Sequence, residues 1–204
     1  MSTEVKAADV KVLRERTGAG MMDCKAALAE ADGDLEKAVE VLRVRGQASA
    51  AKRSGRATSE GTVSSYIHAT GKVGVLVEVQ CETDFVARSD EFKEFSYEVA
   101  LHIAAAAPLY PSAEDVPAEA IEAERNVAEQ RAREEGKPDN VIERIVEGQV
   151  AKWTKEVALL EQEHVNTDKH ESKTIEQLRA ALASRTGENV RIARFARFVV
   201  GEED

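Results

Sequence analysis

Two short segments carry residue types that can act on a partner. The first is Thr17-Gly18-Ala19-Gly20-Met21-Met22, with Lys25 one helical turn further on. A glycine turn leads straight into two methionines, whose flexible, polarizable side chains suit an adaptable binding surface. Cys24, Ala27, Leu28 and Ala31 recur at helical spacing and claim the buried face. Two adjacent methionines cannot both share that face, so at least one points outward. The second segment is Cys81-Glu82-Thr83-Asp84-Phe85-Val86-Ala87-Arg88. It follows a strand and precedes a helix cap at Ser89 or Asp90, a junction that can project side chains. Asp84-Phe85 joins a carboxylate to a bulky ring. Two readings stay open: Phe85 in the core with Asp84 as a turn or cap residue, or both aimed at a partner.

The chemistry of an enzyme is harder to find. The chain has no GxxxxGK[ST] phosphate cradle, no HExxH and no CxxC. Gly18-Ala19-Gly20 lacks the longer glycine spacing of a nucleotide loop. His164 and His170 lie six apart with Glu163 and Glu171 nearby. That pattern can hold a metal, but a solvated loop is the expectation. His68 and His102 read as structural, and Cys24 and Cys81 as small hydrophobes rather than nucleophiles. No catalytic residue, cofactor or metal is expected.

The elements that must position the two segments follow from periodicity. Residues 1–46 read as three short helices, over 7–17, 22–31 and from Asp34 to Gly46. Leu13, Leu28 and Leu42 lie on their inner faces and Asp34 is the cap of the third. Residues 47–60 contain no large apolar residue and read as a linker. From Arg43 to Arg56 there are basic residues and no acid, either a solvated face or a partner contact. Strands are predicted over 61–68 and 73–81, joined by a turn at Thr70-Gly71-Lys72, and again over 190–200. Between them come helices over 89–107, 118–135, a long one capped by Asp139, and a short one capped by Thr174. Residues 164–173 read as a polar loop. The prediction is an α+β protein: a three-helix domain (1–46), a basic linker (47–60), and an α+β core (61–204) with a small antiparallel sheet packed on helices. A sheet edge left unpaired would be a ready dimer site.

Composition bounds the function. With 28 Lys and Arg against 38 Asp and Glu, the net charge of −10 argues against broad nucleic-acid binding. Aromatic residues at 4% leave little for base stacking. No apolar run approaches the roughly 18–20 residues of a membrane helix. The start of the chain has no signal-like apolar stretch, and two cysteines are too few for a disulfide scaffold. The expectation is a cytoplasmic protein with reduced thiols. Residues alone leave open a partner-binding module and a thiol enzyme using Cys24 or Cys81.

TGAGMMDCKAALAEADGDLEKAVEVLRVRG, a basic stretch, and then EVQCETDFVARSDEF resemble the bacterial elongation factor Ts family. The resemblance continues in order through Lys137-Pro138, Ile145-Val146-Glu147-Gly148, Leu159-Leu160-Glu161-Gln162 and Arg194-Phe195-Ala196-Arg197-Phe198. It implies a non-enzymatic guanine-nucleotide exchange factor for elongation factor Tu, with an N-terminal unit like a ubiquitin-associated domain. Thr17, Gly18, Ala19, Gly20, Met21, Met22 and Lys25 match the segment that docks on the GTPase. Thr83, Asp84, Phe85 and Val86 match the element that intrudes near its magnesium site. Longer members carry a second subdomain and a coiled-coil hairpin; nothing between Leu160 and Thr174 could be such a hairpin, so the chain resembles the short form. A homodimer formed through the sheet, giving a 2:2 complex with the GTPase, is the expected replacement. The alternative is a helical interaction module without effect on nucleotide.

Overall fold

A computed structural model describes residues 5–202, apart from the side chain of Gln47. Residues 1–4 and 203–204, the outer ends of the two expected domains, lie outside the described residues. Helices α1 (Ala7–Thr17), α2 (Met21–Glu30) and α3 (Leu35–Arg53) come first, then strands β1 (Glu60–Ile67) and β2 (Val73–Cys81). Helices α4 (Asp84–Ala87), α5 (Asp90–Ala106), α6 (Ala118–Glu134), α7 (Asp139–Val157), α8 (Thr167–His170) and α9 (Ile175–Thr186) follow, and strand β3 (Arg191–Val199) closes the order. The protein is α+β, as its periodicities predict. Among the described residues, no helix is long and apolar enough to cross a membrane.

The sheet is antiparallel in the order β1-β2-β3, so the central strand is β2. In the hairpin turn His68 N–H donates to the Val73 carbonyl at 2.9 Å. Val75, Val77, Val79 and Cys81 alternate along β2 on the buried face. At Gly61 a Cβ would lie 2.2 Å from the Val79 carbonyl oxygen, so the two strands meet here only because glycine has none.

The chain forms two compact units. One comprises the chain up to Thr62, Val79–Phe95 and Gln177–Arg191; the other comprises Val63–Glu78, Ser96–Glu176 and the chain from Ile192 onward. The first therefore holds the three N-terminal helices together with the start of β1, the end of β2, α4, the start of α5 and most of α9. Its helical core is Leu13, Cys24, Ala27, Leu28, Ala31, Ala38 and Leu42. Each buried leucine contributes about 2 kcal/mol, so this small set needs good capping. Asp34 supplies it, accepting the N–H groups of Glu36 (3.0 Å) and Lys37 (3.1 Å).

Gly46 does not end α3. The helix continues to Arg53, through half of the stretch expected to be a linker. Ala48, Ala50 and Ala51 are strong helix formers, and Ala50 is buried, which outweighs the cost of about 1 kcal/mol for one internal glycine. Three of the basic residues here pair with acids of the chain. Arg45 pairs with Glu30, Arg43 with Glu40, and Arg56 with Glu82.

In the second unit, α6 and α7 form a hairpin with its own apolar cluster of Ala128, Ala132, Ile142 and Val146. The small alanines let the two helices approach closely. Asp139 is not the cap of α7 but its first residue; Pro138 occupies the cap position, with its fixed φ of −63°. The segment 164–173 is not a fully solvated loop either. It contains α8, and His164 is wholly buried.

Candidate functional site

Both segments singled out by the sequence fall in the first unit. Helix α1 stops because Gly18 turns left-handed (φ +68°), its N–H donating to Arg14 O at 2.8 Å. The Thr17 hydroxyl donates to Leu13 O (2.7 Å) and accepts from the N–H of Ala19 (3.3 Å), which tightens the corner. Gly20 then precedes α2 in an extended conformation. Cys24, Ala27 and Leu28 turn inward. Met21 and Met22 both turn outward, 61% and 73% exposed, and Lys25 is exposed with them. At least one outward methionine is what the helical spacing requires, and the structure turns both outward.

The second segment resolves the open question about Phe85. Thr83 caps the four-residue helix α4, its hydroxyl accepting from Val86 N–H at 3.4 Å. Val86 and Ala87 point into the core. Phe85 points the other way and is 82% exposed. Asp84 is exposed and pairs with Arg88 at 3.0 Å. A single exposed apolar side chain is ordinary on a protein surface. What distinguishes this ring is its mounting between the capping residue Thr83 and two buried residues, Val86 and Ala87.

Residues near the C-terminal end hold both segments. Arg185 at the end of α9 lies against Gly18 and forms an ion pair with Glu91 at the start of α5. Glu188 Oε2 accepts the N–H groups of Glu82 (3.0 Å) and Thr83 (3.1 Å), and Oε1 accepts the Thr83 hydroxyl at 2.6 Å. Sequence reasoning missed Arg185 and Glu188. No local pattern links residue 188 to residue 83, which are 105 positions apart.

The thiols are unsuited to catalysis. Both cysteines are buried and free. Burial, reinforced by the Glu188 charge, pushes the Cys81 thiol up to about 11, and it donates to Thr83 O at 3.2 Å. It stays protonated near neutrality and serves the corner before α4.

In the second unit, Glu98, His164 and His170 bring one ligand atom each to within 4.8 Å of the others, which suits a metal in distance alone. Their hydrogen bonds argue otherwise. His164 Nδ1 accepts the Asn166 N–H at 3.0 Å, so the ring proton sits on Nε2, which donates to the Glu98 backbone carbonyl at 3.2 Å. A neutral imidazole bound to metal through Nε2 would need that proton on Nδ1, facing another N–H. Lys169 also places its ammonium 2.8 Å from Glu98 Oε1. Burial raises the Glu98 carboxyl, but the Lys169 and His170 hydrogen bonds outweigh it and hold it below its ordinary range. The cluster fastens a loop to α5.

Comparison with known proteins shows the family. The family model for elongation factor Ts matches residues 32–202, which takes in Thr83–Val86. The chain belongs to the elongation factor Ts family. It is 54% identical over 198 residues to elongation factor Ts of Geobacter sulfurreducens, covering 97% of this chain and 90% of that one. Against elongation factor Ts of Nitratidesulfovibrio vulgaris the identity is 56% over 195 residues, 96% of each chain. Elongation factor Ts of Caldanaerobacter subterraneus is 54% identical over 97% of this chain and 98% of its own. Such coverage takes in the Thr17–Lys25 corner as well as α4. It also means that this chain and these elongation factors Ts have similar lengths.

Proposed function

We propose that the protein is a guanine-nucleotide exchange factor for elongation factor Tu, and that it acts without covalent chemistry. The observation that carries this reading is Phe85, 82% exposed on a capped, core-anchored turn with the Asp84 carboxylate beside it. Membership of the elongation factor Ts family supports the choice of partner. Met21, Met22 and Lys25 supply the docking surface with Thr17, Gly18, Ala19 and Gly20. Thr83, Asp84, Phe85 and Val86 form the element that disturbs the magnesium site of the GTPase.

Bound GDP is held by phosphate contacts and by magnesium, whose octahedral shell tolerates little distortion. A ring wedged against the element that carries the ligands needs to move it only slightly. Asp84 redirects hydrogen bonds around the ion. Exchange is then a coupling free energy: the factor prefers the nucleotide-free GTPase, and nucleotide weakens its grip by the same factor. Each 1.4 kcal/mol of coupling speeds release about tenfold. Entry of GTP displaces the factor.

A homodimer in a 2:2 complex is part of the proposal, and the sheet is its interface. Both β1 and β3 are edge strands. The outer face adds a stronger reason, since Val63, Ile67, Leu76, Phe198 and Val200 are all exposed on it. The net charge of −10 favours a protein partner in the cytoplasm over nucleic acid. The test is release of fluorescent GDP from elongation factor Tu at fixed magnesium, with wild type beside Asp84→Ala and Phe85→Ala. Acceleration that falls in both variants is expected. Binding of wild type without any acceleration would replace this reading with a plain helical interaction module.

A further inference from the structure

The loop that follows α9 carries two residues, Glu188 and Asn189, whose polar groups reach back to the chain before α4. Glu188 Oε2 accepts two successive backbone N–H groups, of Glu82 and Thr83, while Oε1 accepts the Thr83 hydroxyl. In return Glu82 Oε1 accepts the Asn189 N–H at 2.6 Å and the Arg56 guanidinium at 3.4 Å. The Asn189 amide, buried to 4% exposure, donates to Ser54 O (3.2 Å) and Arg56 O (2.9 Å). The loop is itself anchored, so the Glu188 carboxylate has a fixed place from which to act.

Its position matters because α4 has four residues. A helix that short does not hold its own direction in water. Its cap bond, Val86 N–H to the Thr83 hydroxyl, is long at 3.4 Å. The aim of Phe85 is therefore set from outside, by burial of Val86 and Ala87 on one side and by the grip on Glu82 and Thr83 on the other. Hydrogen bonds to a carboxylate are about twice as strong as neutral ones, and two adjacent N–H groups on one oxygen fix the direction of the peptide plane.

We infer that Glu188 is a positioning residue for nucleotide release: its carboxylate fixes the backbone of Glu82 and Thr83 and thereby the direction in which Phe85 is presented. This rests on the reading that the protein releases GDP from elongation factor Tu. Glu188 acts through Thr83, and docking through Met21 and Met22 does not depend on it.

The experiment is GDP release from elongation factor Tu over a range of concentrations of the full-length factor. It yields a maximal rate and a half-saturating concentration. In Glu188→Ala the two N–H groups lose their charged acceptor, and the maximal rate falls about tenfold while half-saturation moves less than about twofold. In Glu188→Gln the amide oxygen still accepts both N–H groups and the amide nitrogen faces the Thr83 hydroxyl, so the rate stays within about threefold of wild type. Wild-type rate in Glu188→Ala overturns the inference. So does a rate loss matched by an equal rise in half-saturation, or equal losses in the two variants. If Glu188→Ala does not fold, Glu188→Asp, whose carboxylate stops one methylene short of the Glu82 and Thr83 N–H groups, decides: a lower maximal rate at little-changed half-saturation supports the inference and no loss overturns it. A wild-type protein without effect on GDP release overturns the proposed function, and this inference with it. That result differs from an active wild type with an indifferent Glu188→Ala, which overturns the inference alone.

Discussion

Arg185 lies where a Cβ on Gly18 would have to be, its Cδ 2.3 Å and its Cγ 3.1 Å from that position. The left-handed backbone that ends α1 and the guanidinium stem that crosses it are therefore one arrangement. Gly18→Ala meets both, a strained φ worth about 1 kcal/mol and a displaced Arg185. The expected loss is about 1–2 kcal/mol by urea unfolding. In an Arg185→Ala background, Gly18→Ala should cost measurably less, because only the backbone strain remains. Equal costs in the two backgrounds would show that the close approach has no energetic weight.

Phe85 and Val86 are neighbours with opposite assignments. Phe85→Ala should leave stability within about 0.5 kcal/mol, since the ring is exposed, while GDP release from elongation factor Tu falls at least about tenfold. Val86→Ala should cost about 1–2 kcal/mol in stability through lost burial. Paired denaturation and exchange measurements on the two variants check both statements.

Acid should weaken the fold through His102. Its Nε2–H donates to Gln162 Oε1 (2.9 Å) and its Nδ1 accepts the Val165 N–H (3.2 Å), so the ring is bonded in its neutral form. Burial first, and then the nearby His164 against the opposing Gln162 bond, brings it down to about 4 from the ordinary 6.5. His164 is lowered in the same direction by burial. Between pH 6.5 and about 4 the unfolded chain takes up the His102 proton and the native protein does not. Stability from this group is complete above pH 6.5 and is lost as pH falls toward 4, by about 3 kcal/mol at most. Urea unfolding at pH 7 and pH 4.5 should show the decline, and His102→Gln should show a shallower one.

The outer face of the sheet should govern oligomeric state. Phe198 is 62% exposed there, near the similarly exposed Val200 and Ile67. Phe198→Glu places a charge in that patch and should yield monomers by light scattering at micromolar protein with an unchanged circular dichroism spectrum. A wild type that is already monomeric would remove the 2:2 assembly from the proposal.

Neither thiol should react readily. Cys24 and Cys81 are buried, and Cys81 is protonated up to about pH 11. Native protein at pH 8 should label slowly with a disulfide reagent and fully once unfolded. Replacing both cysteines by Ala should preserve nucleotide exchange, which separates an exchange factor from a thiol enzyme.

What the sequence made legible was local. That at least one methionine faces outward follows from the spacing of Cys24, Ala27 and Leu28, and β2 follows from its alternating valines. Asp34 announces α3, yet Gly46 misleads about its end, because a run of alanines with one buried member outweighs a single glycine. His164 looked solvated among polar neighbours, although its burial depends on Glu98, 66 positions away. The direction of Phe85 was open for the same reason. Asp84-Phe85-Val86 fits a core ring or a projecting one, and the choice is made by Thr83 and by Glu188, which no local spacing connects.

The separations involved also order the assembly of the protein in time. Thr83 and Glu188 are 105 positions apart, Glu91 and Arg185 94, and Ser54 and Asn189 135. Closing loops of that length costs entropy before any bond forms, so such contacts come late, after the local α1–α3 and α6–α7 pairings. A chain emerging in order from its N-terminus has Phe85 long before it has the Glu188 carboxylate that grips Glu82 and Thr83. The exposed ring is thus made before the residue that fixes the backbone beneath it.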